Sequence, residues 1–369
     1  MAALAISQIC EHRPASPTTV PTVPTTSKPQ QIFRSALILR KSTKWLWEKE
    51  KTGMSDTELR KHLASKGMNV NEMMENEKKQ LNAVREIVAR LEQSGISTRI
   101  VSRDELKQYL PEADLVISAG GDGTFLTAAS VVNDDTPVVG INTDPIGSEG
   151  HLCAGRKNPP RDLIEQLVTG KLKFVGRSRI RVTVKYPKSS FFSLKCRKET
   201  TNLALNEVFI GEDEAAKVST YNISIDDSVM VKQKSSGMIV STGTGSTSWY
   251  SGMNRVDETT VNSIIETMQN LGINISSNRD LVKKITNNYN QRIPFEVDFP
   301  SFAFYIREPI FNATFKRTAQ RGFAQKIRLE SRCSNGYLVL DGSNKIPFPH
   351  GAVATLEIRA TDALKTVIV

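Results

Sequence analysis

A short apolar segment that leads into a run of glycines constrains the fold of this chain more than any other feature. Residues 113–119 read Ala-Asp-Leu-Val-Ile-Ser-Ala, and the next five residues are Gly120, Gly121, Asp122, Gly123 and Thr124. The apolar segment predicts a buried strand, and residues 125–132 predict a helix. Glycines at such a junction let the backbone approach an anion, and a helix N-terminus favours phosphate. We call residues 120–124 the glycine loop, and it predicts a site for nucleotide phosphates.

The carboxylate of Asp122 inside the glycine loop needs an explanation of its own. Its charge repels phosphates, so its candidate roles are a general base or an indirect metal ligand. The same residues also suit an ordinary tight turn, in which Asp bonds to nearby backbone. The loop is not a Walker loop, because Gly-Lys-Ser and Gly-Lys-Thr are absent, and its glycines do not complete a dinucleotide fingerprint.

Composition limits the class of protein. The 369 residues are enough for two domains, and no apolar run approaches the length that crosses a bilayer, so no membrane partner is expected. Four cysteines and four histidines are scattered without paired spacing, so neither disulfides nor a protein-held metal are expected. The net charge of +10 fits either a solvated basic surface or polyphosphate ligands. Nucleic acid is not predicted, because no dense basic block with interleaved aromatic residues occurs.

The first half of the chain predicts a disordered tail and then an α/β domain. Residues 1–30 contain five prolines and no aromatic residue, which predicts disorder. Residues 31–176 predict a Rossmann-like parallel sheet, with strands at 35–40, 98–101, 115–117 and 137–141. Residues 81–91 show helical periodicity, and Gly95 predicts the end of that helix. The glycine loop then lies at the carboxyl end of a strand, where open α/β sheets bind ligands.

Residues 177–349 predict a mostly β, sandwich-like domain. Residues 179–184 alternate polar and apolar side chains, and short strand-like runs follow at 208–210, 221–225, 326–329 and 337–340. One helical insert is expected at 257–290, with its apolar face formed by Val261, Ile264, Ile265 and Met268.

Two further motifs occur in this β region. Asn206 and Glu207 stand at the start of a strand, where the amide can bond a base and the carboxylate can accept from ribose hydroxyls. A turn asparagine beside a solvated glutamate is the alternative. Residues 241–249, Ser-Thr-Gly-Thr-Gly-Ser-Thr-Ser-Trp, form a segment that we call the hydroxyl loop. It predicts either a binding loop whose Trp249 stacks on a planar ring or a flexible linker.

The chain resembles the NAD kinase family over about nine-tenths of its length. The resemblance is carried by the glycine loop, the Asn-Glu pair and the hydroxyl loop, which occur in this order across the boundary between the α/β and the β region. The sequence departs from the usual family pattern at three places. Gly243 and Trp249 stand where Pro and Tyr are usual, and residues 147–152 replace a Leu-Gly-Phe continuation. These departures resemble the mitochondrial branch of the family in animals. Ser236 stands where the family has Asp, so a family contact to NAD is in question.

The resemblance implies transfer of the γ-phosphoryl of ATP, with Mg²⁺, to the adenosine ribose 2′-hydroxyl of NAD. It implies that Asp122 is the catalytic base and that residues 350–369 return to complete the first domain. It also implies a homo-oligomer, with a dimer favoured, in the mitochondrial matrix, or in the cytoplasm if a presequence is lacking. The implied phosphate ligands are Gly120, Gly121, Gly123 and Thr124, and the implied NAD ligands are Asn142, Asn206, Glu207, Thr247, Ser248 and Trp249. A lipid kinase of the diacylglycerol or sphingosine type and an NADP-binding sensor without turnover are the alternatives.

Overall fold

The computed structural model describes residues 32–187, 199–214, 216–276 and 278–368. The tail expected at residues 1–30 lies outside the described residues.

The first domain is built on a six-stranded sheet in the order β2-β1-β3-β4-β18-β5, in which β18 is Leu364–Ile368. Strands β1 to β4 pair in parallel. The strands of this domain in chain order are β1 Ser35–Arg40, β2 Ser97–Val101, β3 Leu115–Ala119, β4 Val138–Ile141 and β5 Lys173–Arg177. The helices are α1 Lys44–Thr52, α2 Asp56–Ser65, α3 Val70–Gln93, α4 Arg103–Tyr109, α5 Asp122–Val131 and α6 Leu163–Val168.

The helices of the first domain extend beyond the segments that periodicity predicts. Helix α3 runs for 24 residues and buries Val84, Ile87 and Leu91, and Gly95 follows it with φ of 81°. Helix α5 begins at Asp122 rather than Phe125, so the second half of the glycine loop is its first turn. Helices α1 and α2 were not predicted, because their mostly polar sequences bury only Trp45, Leu59 and Leu63.

The second domain contains two six-stranded antiparallel sheets, in the orders β10-β9-β14-β17-β6-β7 and β13-β12-β11-β8-β15-β16. Their apolar side chains form one shared core, so this is the sandwich that the sequence predicts. The strands are β6 Ile180–Lys185, β7 Glu199–Ala204, β8 Glu207–Glu212, β9 Ser219–Ile225, β10 Val231–Ser235, β11 Gly237–Ser241, β12 Phe302–Arg307, β13 Arg321–Ala324, β14 Lys326–Ser331, β15 Gly336–Leu340, β16 Asn344–Pro347 and β17 Val353–Ile358.

Two details of the second half differ from the sequence expectation. The insert at 257–290 is a pair of helices, α8 Glu258–Asn270 and α9 Arg279–Gln291, that follow the short helix α7 Trp249–Asn254. Ile264, expected on the apolar face, is 53% exposed, because Val261 and Ile265 form the contact with α9. The buried apolar face of α8 is therefore narrower than the four apolar residues of the sequence suggest.

The segment that returns to the first domain is shorter than the expected segment 350–369. Strand β17 pairs with β14 and β6 and so belongs to the sandwich. Strand β18, Leu364–Ile368, crosses back and lies between β4, to which it is parallel, and β5, to which it is antiparallel. Only this last strand completes the first sheet.

Candidate active site

Asp122 is the first residue of α5, and both of its carboxylate oxygens are held by backbone. The amide of His151 donates to Oδ2 at 3.1 Å and the amide of Leu152 donates to Oδ1 at 2.7 Å. Asp122 follows β3, and both amides come from the loop after the neighbouring strand β4. The ends of two neighbouring strands therefore fix the orientation of this carboxylate. Its geometry is therefore set before any ligand arrives.

The three glycines of the glycine loop differ in how closely other atoms surround them. A Cβ on Gly120 would lie 2.3 Å from Thr124 Oγ1, and a Cβ on Gly121 would lie 2.4 Å from Ser148 Oγ. A Cβ on Gly123 would meet nothing within 4 Å. Packing therefore requires the first two glycines, whereas the third leaves open space beside Asp122.

That open space belongs to a cleft of about 1010 Å³. The glycine loop forms one wall, and the segment between β1 and α1, with Lys41 and Lys44, forms another together with Arg103 at the start of α4. Lys41 pairs with Asp144 at 2.8 Å, and this bond holds the pKa of Asp144 below its usual range. Glu50, Asp104 and Glu105 also line the cleft, so its suitability for phosphate rests on the N-terminus of α5 with Lys44 and Arg103 beside it.

Asn142 lies in the loop after β4, and its side chain is used by that loop. Its amide donates to the carbonyl of Ser148 at 3.1 Å, and its Oδ1 accepts from the amide of Asp144 at 3.0 Å. These bonds shape the segment that goes on to hold Asp122. Asn142 is thus near the cleft, with both of its polar groups engaged by the protein.

The backbone around Asn206 and Glu207 is fixed by Asp341, which follows β15. The carboxylate of Asp341 accepts from the amides of Leu205, Asn206 and Glu207 at 2.9, 2.7 and 3.2 Å. Burial raises the pKa of Asp341, and these three bonds oppose that rise. The side-chain Oδ1 of Asn206 is buried without a hydrogen-bond partner among the described residues. A buried acceptor in that condition is available to a donor from a ligand or from an ordered water.

Glu207 is 9% exposed and lies against the hydroxyl loop. Burial raises its pKa to about 7, the charge of Asp341 adds to the rise, and the bond from Ser248 opposes it. Ser248 Oγ donates to Glu207 Oε2 at 3.1 Å. This carboxyl group can therefore either accept or donate a hydrogen bond near neutral pH.

The hydroxyl loop is rigidly packed and is not a flexible linker. A Cβ on Gly243 would lie 1.8 Å from the carbonyl oxygen of Glu296, and one on Gly245 would lie 2.2 Å from the carbonyl oxygen of Asn206. Thr242 Oγ1 donates to the carbonyl of Leu205 at 2.5 Å and accepts from the amide of Gly245 at 3.2 Å. The loop is therefore built directly onto the Asn-Glu pair.

Trp249 already has one aromatic partner within the protein. Its ring stacks on Phe209 with centroids 5.0 Å apart and an interplanar angle of 27°. Phe209 is two residues beyond Glu207 on β8, so both side chains leave the same face of the sheet. Trp249 remains 44% exposed, and Thr247 is exposed beside it. One face of the indole is thus left for a ligand.

The elements that carry Asp122 and Asn206 contact each other where the domains join. Leu205 packs in the same apolar cluster as Phe125 of α5 and Leu152, which holds Asp122. Arg177, the last residue of β5, donates to Thr244 of the hydroxyl loop at 3.3 Å. The residues next to Asn206 and the hydroxyl loop are therefore packed against the first domain.

Arg177 and Asp341 were not singled out by the sequence. The sequence did carry a signal for the arginine, because Arg177, Arg179 and Arg181 alternate at the boundary between the two domains. By itself that alternation predicts only a strand. Asp341 with Gly342 resembles an ordinary hairpin turn, and nothing local indicates that its carboxylate reaches three amides of another strand.

Within the described ranges, no group of three His, Cys, Asp or Glu side chains could hold a metal ion. Over the same residues, no helix has the length and apolar content that a membrane crossing needs.

A glycine loop at the carboxyl end of a parallel strand, a carboxylate held by two backbone amides and an adjoining β-sandwich define a two-domain nucleotide phosphotransferase. Residues 33–172 match the ATP-NAD kinase N-terminal domain, and residues 205–267 match the ATP-NAD kinase C-terminal domain. The human protein "NAD kinase 2, mitochondrial" is 34% identical over 90% of this chain and 83% of its own length. Its Xenopus tropicalis counterpart is 33% identical over 91% of each chain. The chain therefore belongs to the NAD kinase family, whose members are kinases of NAD.

Solved structures support the same fold. A yeast NADH kinase complexed with NADH aligns with a TM-score of 0.53 and 14% identity over 93% of this chain and 88% of its own. An NAD kinase from Archaeoglobus fulgidus in complex with ATP aligns with a TM-score of 0.51 and 17% identity over 90% of this chain and 92% of its own.

Proposed function

We propose that this chain transfers the γ-phosphoryl of ATP to the adenosine ribose 2′-hydroxyl of NAD, which gives NADP and ADP. The observation that carries the proposal is the carboxylate of Asp122, which two backbone amides hold in the lining of the cleft beside α5. Family membership and the printed names of the relatives give the substrates.

The donor side is the cleft beside α5. The triphosphate lies on the glycine loop, where Gly120, Gly121, Gly123 and Thr124 present backbone and hydroxyl groups to it. Mg²⁺ is commonly held by phosphates and water, and bound to the triphosphate in this way it would supply positive charge to the transferring phosphoryl group.

The acceptor side is the junction with the sandwich. A ribose hydroxyl is a weak nucleophile, so a carboxylate that removes its proton as the P–O bond forms accelerates attack. Asp122 has that role, because its side chain is oriented by two amides and is open to the cleft through Gly123. The proton passes from the 2′-hydroxyl to a carboxylate oxygen of Asp122.

NAD is held by the Asn206 region and the hydroxyl loop. The unpaired Oδ1 of Asn206 accepts from an amino group of the dinucleotide, and Glu207 with Ser248 bonds to ribose hydroxyls. Thr247 and the open face of Trp249 complete the pocket. Asn142 acts from the cleft edge by shaping the loop that holds Asp122.

The test is a coupled assay on the purified protein with MgATP and NAD, in which an NADP-specific dehydrogenase detects the product. NADP formation that depends on both substrates supports the proposal. Binding of NADP without turnover would favour the sensor, and family membership leaves no place for the lipid kinase.

We also propose that the protein acts in mitochondria as a homodimer. The names of its relatives support the location. A C-terminal fluorescent fusion tests it, and a diffuse cytosolic signal would contradict it. Light scattering tests the dimer, which a monomeric mass at micromolar concentration would contradict.

A further inference from the structure

Two large apolar side chains are exposed inside the cleft beside α5. Trp47 of α1 and Ile100 of β2 both line it, and each is 49% exposed. Apolar and aromatic side chains on the wall of a concave surface are typical of a small-molecule site. A triphosphate makes no use of such a surface, so this end of the cleft calls for another part of a ligand.

Both walls of the cleft lead from the glycine loop to this apolar end. The amide of Lys41 donates to the carbonyl of Ala119, the residue before the glycine loop, at 3.0 Å, and α1 begins at residue 44. On the other wall, Arg103 follows Ile100 closely and donates to Thr127 Oγ1 of α5 at 2.9 Å. The apolar end and the glycine loop are therefore parts of one continuous cleft.

The separation of the two ends suits a nucleotide. Ile100 is opposite Ile38 of β1, and Ile38 is opposite Ile117 of β3, the strand that ends in the glycine loop. Neighbouring strands are about 4.8 Å apart, so Ile100 lies roughly 10 Å to the side of β3. A nucleoside triphosphate whose phosphates lie on the glycine loop can cover that distance with its ribose and present its base to the apolar end.

We propose that Trp47 and Ile100 form the base subsite of the phosphoryl donor, so that the protein selects a nucleoside triphosphate over inorganic polyphosphate. Lys51 Nζ lies 4.6 Å from the centroid of the Trp47 ring, so the base stacks on the face of the indole away from this cation. Ile100 packs against the base from the opposite wall. The inference rests on the proposed kinase function, whose donor it specifies.

Glu50 adds a preference for adenine. It lies three positions after Trp47 on α1, so the two side chains are neighbours on the helix surface. Its carboxylate also lines the cleft, and it can accept a hydrogen bond from the exocyclic amino group of adenine. Guanine carries a carbonyl oxygen at the corresponding position, which a carboxylate repels.

The experiment is isothermal titration calorimetry with MgATP and with magnesium tripolyphosphate, an inorganic triphosphate that has no base. Trp47→Ala should weaken MgATP binding about tenfold, because the stacking surface is lost, and leave tripolyphosphate binding within about twofold. Trp47→Phe retains an aromatic ring and should stay within about threefold of the wild type for both ligands. Ile100→Ala should weaken MgATP binding about threefold. Ile264→Ala is the matched control, since Ile264 is 53% exposed on α8 and does not line the cleft.

The same titration with MgGTP tests the adenine preference. Glu50→Gln replaces a group that only accepts with one that also donates, so the ratio of ATP affinity to GTP affinity should fall about fivefold. An unchanged ratio would contradict the role of Glu50.

Equal weakening of MgATP and tripolyphosphate in Trp47→Ala would overturn the base subsite, as would an unchanged affinity for MgATP. If Trp47→Ala does not fold, Ile100→Ala decides, and an affinity for MgATP equal to that of Ile264→Ala contradicts the inference. A wild-type protein that binds MgATP but forms no NADP from NAD would instead contradict the proposed kinase. The two failures are therefore distinguishable.

Discussion

The glycine loop and the Asn206 region, for which we propose binding of the two substrates of one reaction, are constructed differently. The glycine loop is contiguous, and its anion-binding groups are the backbone and N-terminus of α5. The Asn206 region is assembled from β8, the hydroxyl loop and Asp341, which are far apart in sequence. A binding region made of one continuous segment tolerates changes elsewhere in the chain. A region assembled from distant segments loses its geometry when any one of those segments is changed. Variants in each region test this difference.

The largest effect is expected at the base. Asp122→Asn keeps the shape of the side chain and removes its proton affinity, so kcat should fall by about 10²–10⁴ with little change in the melting temperature. Asp114→Asn is the control, because Asp114 also accepts two backbone amides, those of Arg34 and Ser35. Steady-state kinetics measures both variants. Retention of more than about a third of wild-type kcat in Asp122→Asn would remove the catalytic role.

The next effect should show that the Asn206 region depends on a distant residue. Asp341→Asn places an NH₂ group against backbone donors, which disturbs residues 205–207, so KM for NAD should rise by about a hundredfold and KM for ATP should stay within about twofold. Asp226→Asn is the matched control, since Asp226 has φ of 46° against 48° for Asp341 and accepts the amides of Gln325 and Lys326. A similar rise in both variants would show a general folding defect.

A smaller effect is expected when a single contact to NAD is removed. Asn206→Ala deletes the unpaired acceptor, so KM for NAD should rise by about 5- to 150-fold, far more than KM for ATP. Asn222→Ala removes a surface asparagine that bonds Glu330 and Arg332, and it serves as the control. Equal changes for both substrates would count against the assignment of Asn206 to the NAD pocket.

The last expected effect concerns pH and stability rather than turnover. Folding raises the pKa of Glu207 from 4.5 to about 7, so the folded state binds the proton more tightly. Its contribution to stability therefore falls as pH rises through that interval, by up to about 3 kcal/mol. Glu207→Gln lacks this loss and should melt above the wild type at about pH 8, with the difference disappearing at about pH 4. Melting curves across that range measure it, and a constant difference would contradict the buried carboxyl.

The sequence predicted the local parts of the molecule well. Strand β1 occupies residues 35–40 as expected, and the α/β domain followed by a β-sandwich agrees with the observed sheets. Periodicity and glycine placement are sufficient for such elements, because each depends on a few neighbouring residues. The motif residues were recognisable because their types and order are specific in combination.

The remaining features depend on contacts that no short window of sequence contains. Asp341 reaches residues 205–207 across more than a hundred positions, and Arg177 meets Thr244 across 67. The stacking of Trp249 on Phe209 depends on how α7 packs against β8. Composition shows the presence of such residues, and only the fold shows which of them meet.

Strand β18 has a consequence for how the chain reaches its final state. Thr366 bonds to the carbonyl of Val138 across 228 residues, and the strand fills the position between β4 and β5. The first sheet therefore stays incomplete during synthesis until residues 364–368 have left the ribosome. A contact of such long range is slow to form, so a partly made chain carries an unpaired strand edge that chaperones must shield. Denaturation should accordingly be cooperative across both domains, because the sheet opens when the sandwich that delivers its last strand unfolds.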